Sequence, residues 1–236
     1  MIPTKKSNRS VCELFRLMEF TDSALPVGGF SFSCGVETAT VCGMIHDEES
    51  LGAYLLATAR QVATCDGVAA LAAHRAILRR DWRAFLAADR RIGLFKTGDE
   101  NRRMSLRMGH KLGQLARHIL PQKEVIQWGE AVARGEIEGH HAPMQGLLFA
   151  LTGESEERLF ASLLYGAATQ ITGAALRLMR IDHFATQRLL YALGEEVARL
   201  YEELSPLEIE EMHLFGPERE ILASMHEAGP QRMFMN

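Results

Sequence analysis

The sequence predicts an all-α protein, a single-domain bundle of about eight to ten helices. Three observations predict it. Apolar residues recur at helical spacing along most of the chain. No run of period-2 alternation is built from strand-forming residues, and Ala and Leu far outnumber Val, Ile and Thr. Gly, Pro and Asp punctuate the helical stretches at short intervals, and no low-complexity linker or internal repeat divides them.

The elements follow in order. Residues 1–10 are polar and basic without an apolar segment, and are expected to be disordered, with one domain over 11–236. Residues 22–39, DSALPVGGFSFSCGVETA, interrupt the helical pattern. There Pro26 fixes φ, and Gly28 and Gly29 open backbone conformations closed to other residues. Phe30 and Phe32 alternate with serines, so the loop can close over the protein's own core or offer apolar side chains to a partner. A short helix is expected after Gly35. Asp81 is placed to cap a helix beginning at Trp82. Thr97 and Glu100 have capping-box spacing ahead of a helix in which Met104, Met108, Leu112, Leu115 and Ile119 form one stripe. Beside that stripe Arg103, Arg107 and Lys111 step by four, a candidate docking surface. Residues 155–180 carry Leu159, Leu163, Ala167, Ile171, Ala174 and Leu178 at helical spacing among Gly and Ala, and read as the central buried helix. An amphipathic helix from His183 ends before Pro206.

Charge is divided along the chain. The formal net charge is −4, yet residues 75–117 carry 12 Lys/Arg against four acids, while 195–220 carry nine Glu against two Arg. Such bipolarity orients partners. It gives no overall pull toward nucleic acid, and no apolar run approaches the ~20 residues of a membrane span. A cytoplasmic location is expected, with the four cysteines as free thiols.

Motifs for catalysis are weak. Ser31-Phe32-Ser33-Cys34-Gly35 loosely resembles a nucleophile elbow, but a turn precedes it where the elbow needs a strand. His140 and His141 are adjacent, and vicinal histidines point apart. Neither a catalytic constellation, a cofactor site nor a metal-ligand set is expected. Two other classes stay open on the residues alone: a hydrolase using Ser33 or Cys34, and a histidine-based metallochaperone.

Four stretches resemble the UreF family of urease accessory proteins: Ala24 to Ser33 with Gly35 and Glu37; Lys96, Glu100, Arg102, Ser105, Met108 and Gly109; Ala175 to Leu178 with Gln187, Leu189 and Leu190; and Pro217, Ile221 to Glu227 and Arg232 to Phe234. They span nearly the whole chain in the family's order. The chain departs from the pattern at Asp182 to Thr186, which lacks the usual glycines, at Gly229-Pro230, and in its last residues. The resemblance implies an all-α homodimer without catalytic activity. It implies binding to UreD (also called UreH), recruitment of the GTPase UreG, docking on apo-urease, and nickel delivery to the urease active site. Residues expected at partner contacts are Pro26, Gly28, Gly29, Phe30, Phe32, Glu100, Arg102, Arg103, Arg107, Lys111, Arg177, His226, Glu227, Arg232 and Phe234. The apolar chain end beside Arg232 is expected to bind a partner together with the loop.

Overall fold

The computed structural model describes residues 9–214, 216, 221–222, 225 and 233–234. Among them are ten α-helical segments and no strand. They are α1 (Arg9–Thr21), α2 (Val36–Val41), α3 (Glu48–Val62), α4 (Val68–Leu78), α5 (Trp82–Phe95), α6 (Asp99–Ile119), α7 (Lys123–Ala133), α8 (His141–Thr152), α9 (Glu156–Leu178) and α10 (His183–Leu204). A π turn, Ala63–Gly67, joins α3 to α4 without leaving helical backbone, so these two form one rod. The all-α expectation holds. Residues 1–8 lie outside the described residues; Arg9 and Ser10, expected to be disordered, open α1.

Side-chain oxygens set several helix starts. Asp81 accepts from the Ala84 N–H at 3.0 Å, as its position predicts. Asp182 does the same for α10 with Ala185 at 2.7 Å, and Asp47 and Ser50 form a reciprocal box at α3. The box expected from Thr97 and Glu100 does not form. Gly98 is the N-cap of α6 without a side-chain bond, and Glu100 is drawn into the interior at 1% exposure. Helix α10 ends at Leu204, as Pro206 requires.

Helix α9 packs against α1, α2, α3, α4, α8 and α10, which makes it the hub the sequence predicts. It is also long and apolar enough to cross a membrane by composition, which the sequence reading missed; more than half of that stretch is buried inside the fold. The driest helix is α8, buried continuously from Ala142 to Ala150 and packed on α4. Its uniform burial leaves no polar face, so periodicity gave no sign of it. On α6, Gly109 lets the backbone before α8 come close: a Cβ there would lie 2.1 Å from the Gly139 oxygen.

Part of the basic segment is engaged within the fold. Lys96 pairs with Asp66 of the π turn at 2.6 Å, Arg75 with Glu156 of α9, and Arg91 donates to the Glu210 carbonyl. Arg103, Arg107 and Lys111 remain exposed along α6.

Candidate functional site

The interrupting loop, the middle of α6, the end of α9 and the chain's tail meet at one corner. Gly28 takes φ 85°, a left-handed conformation, and starts a single 3-10 turn, Gly29–Ser31. This turn separates the two phenylalanines. Phe32 points inward at 2% exposure, whereas Phe30 stands out at 72%. A mere two-residue offset thus divides the two roles that composition left open.

Arg177, near the end of α9, holds Phe30 in place. Its guanidinium carbon lies 4.0 Å from the centre of the Phe30 ring and 4.1 Å from that of Phe234. Its N–H groups donate to the Phe30 carbonyl at 3.4 Å. Partial burial draws its pKa below the ordinary arginine value. Glu37 on α2 accepts the Met233 N–H at 2.7 Å and the Phe234 N–H at 3.1 Å. Arg107 of α6 lies over the Phe32 ring, 6.0 Å from its centre.

Behind this corner is a cavity of about 170 Å³ whose wall includes Phe30, Cys34, Gln61, Asp66, Lys96 and Arg177. The Thr58 hydroxyl and the Gln145 carbonyl oxygen, both from wall residues, are buried and have no hydrogen-bond partner among the described residues. Buried polar atoms of this kind are ordinarily satisfied by internal water.

Of the predicted contact residues, Pro26, Phe30, Arg103, Arg107, Lys111 and Arg177 reach the surface. Gly29, Phe32, Glu100 and Phe234 are built into the protein's own interior, which leaves Phe30 as the exposed member of the phenylalanine pair. Of the two described tail residues, Phe234 is 6% exposed and Met233 faces solvent. Arg102 faces away from the corner, bonding the Gly93 carbonyl and Glu138. His226, Glu227 and Arg232 lie outside the described residues. Glu37 and Gln170 were missed as site residues. A glutamate following Gly35 is visible in sequence, but its distant backbone partners are not.

The residues of the rival readings are engaged elsewhere. Ser33 is fully buried, and its hydroxyl accepts the Glu37 N–H at 3.4 Å. His140 bonds Ser105 through Nδ1 at 3.0 Å and Glu138 through Nε2 at 3.1 Å. Burial pushes its pKa down, and that of His141 down to about 4. Among the described residues no group of three or more His, Cys, Asp or Glu is placed to hold a metal ion. The segment before α8 is held by Asp89 of α5. Its carboxylate accepts the N–H groups of Glu138 and Gly139 at 3.1 Å and of His140 at 2.9 Å.

The chain is thus an all-α protein in which Ser33 and His140 make internal contacts and an aromatic side chain stands on a surface turn. The sequence profile of the UreF family matches residues 45–194. The chain is 42% identical over 230 residues to urease accessory protein UreF 2 of Brucella canis, covering 98% of this chain and 95% of that protein. It is 41% identical to UreF 1 of Brucella melitensis over the same length, and 34% identical over 224 residues to UreF of Yersinia pseudotuberculosis. The chain therefore belongs to the UreF family of urease accessory proteins. That family is non-catalytic, and this chain is not an enzyme.

Proposed function

We propose that this chain is a cytoplasmic scaffold of urease maturation. It forms a homodimer, binds UreD/UreH, recruits the GTPase UreG, and docks with them on apo-urease so that nickel reaches the urease active site. The observation that carries this reading is Phe30: a large apolar side chain, 72% exposed, mounted on a glycine turn and stacked on a cation. Aromatic and arginine side chains in such settings supply much of the energy of protein interfaces. The exposed Arg103, Arg107 and Lys111 stripe adds a charged approach surface on the neighbouring helix.

Affinity capture of UreD and UreG by the purified chain tests the proposal. Phe30→Ser is expected to weaken capture while the far-UV circular dichroism stays unchanged. Arg103→Glu with Lys111→Glu spares the Arg107 contact to Phe32 and is expected to weaken capture most at low salt. Normal capture by both variants overturns the assignment of this corner, and failure of the parent chain to bind either protein overturns the function.

A further inference from the structure

We propose that the cavity behind the corner binds a small uncharged molecule, an amide or an alcohol on an apolar body of about benzene's size. The inference does not rest on the function proposed above. Three polar groups of the wall are unengaged. The Thr58 hydroxyl and the Gln145 carbonyl oxygen are buried without a hydrogen-bond partner among the described residues, in side chains of residues only 2% and 5% exposed. The His141 ring lines the same cavity and likewise makes no hydrogen bond among the described residues. Thr58 comes from α3, whereas His141 and Gln145 stand one turn apart on the same face of α8.

The rest of the space suits an apolar body. Phe20, Val27, Met104, Met108 and Leu163 line it. Its volume of about 170 Å³ exceeds the ~150 Å³ of an apolar protein cavity that takes up benzene. A water molecule fills about 30 Å³ and needs about three polar partners. Enough water to fill this volume would lie mostly against aromatic, aliphatic and thioether groups. Water therefore serves the three polar groups but not the space between them. The exposed Asp22, Ser23 and Phe30 also line the cavity and mark its mouth.

The polar groups select the ligand. The Gln145 amide nitrogen donates to the Ser162 hydroxyl at 3.2 Å, which leaves the carbonyl oxygen to accept from a ligand N–H or O–H. The Thr58 hydroxyl and a neutral imidazole can each donate to a ligand oxygen. Burial holds the His141 pKa down to about 4, so that ring is neutral at pH 7. Asp66 and Lys96 of the wall are paired with each other at 2.6 Å, and its other charged residues, Asp22 and Arg177, are exposed. A charged ligand would therefore sit in the interior without a counter-charge, which its desolvation cost forbids.

The test follows the isotopically labelled methionine methyl groups of the full chain by NMR during titration with benzamide, benzyl alcohol, toluene and benzoate. Benzamide and benzyl alcohol are expected to shift the Met104 and Met108 signals saturably and to leave that of the exposed Met44 unmoved. Toluene is expected to bind about tenfold more weakly, and benzoate not at all. Thr58→Val and Gln145→Leu are each expected to weaken benzamide binding about fivefold without weakening toluene. The site is overturned if neither polar probe moves the Met104 and Met108 signals, in which case the cavity holds water only. It is also overturned if toluene or benzoate binds as tightly as benzamide, or if either variant binds benzamide as the parent does. Thr58→Val, which changes polarity and not shape, keeps the test decisive should Gln145→Leu not fold.

Discussion

Two carboxylates in this protein solve the same problem in different surroundings. Asp89 on α5 gathers three successive backbone N–H groups ahead of α8, and Glu37 on α2 gathers the two successive N–H groups of Met233 and Phe234. Asp89 is fully buried, and burial pushes its carboxyl above the ordinary carboxylate range despite those bonds. Glu37 is only half-buried. Water can replace the partners of Glu37 when they leave but cannot reach those of Asp89, so the first contact locks a helix start and the second can release. The Asp89 end of the molecule is framework; the Glu37 end carries the exposed Phe30.

This contrast can be broken by experiment, beginning with the largest effect. Asp89→Ala strands three N–H groups in the interior and is expected to lower stability by about 3 kcal/mol, measured by urea unfolding. The next effect is on pH. His141 has its folded pKa lowered to about 4 from 6.5, so the fold favours the neutral ring. The stability this confers is complete above pH 6.5 and is lost as pH falls from there toward 4. A thermal melting series across that window is expected to show the decline, and a His141→Gln variant that retains the native melting temperature at pH 7 should reduce it, leaving the part that belongs to buried His140. Glu37→Ala is expected to cost about 1 kcal/mol and to speed amide exchange at Met233 and Phe234 while leaving exchange in α8 unchanged. Smallest for stability is Phe30→Ser, within about 0.5 kcal/mol, although it is the change expected to weaken partner capture. If Glu37→Ala destabilises as much as Asp89→Ala, the distinction between lock and latch fails.

Much of the fold was legible because it rests on local rules. The Asp81 cap, the end of α10 before Pro206 and the helix running through Met108 and Leu112 all depend on residues within a turn or two of one another. The failed box at Thr97 shows where locality ends: burial of Glu100 outweighs the bond it could have made to its own helix start. Helix α8 was missed because a helix buried on every side has no periodic contrast. At the corner, composition identified the glycine turn and both phenylalanines but could not say which one faces water.

The sequence by itself determined the all-α class, several helix limits and the family, since these follow from spacing, caps and motif order. Tertiary structure alone decided the grouping of Phe30, Arg177, Glu37 and Phe234, and the convergence of Thr58, His141 and Gln145 on one cavity. The physical reason is distance along the chain. Helical patterning specifies which face of each helix is buried, but the partner across the interface is fixed only when all the helices pack at once.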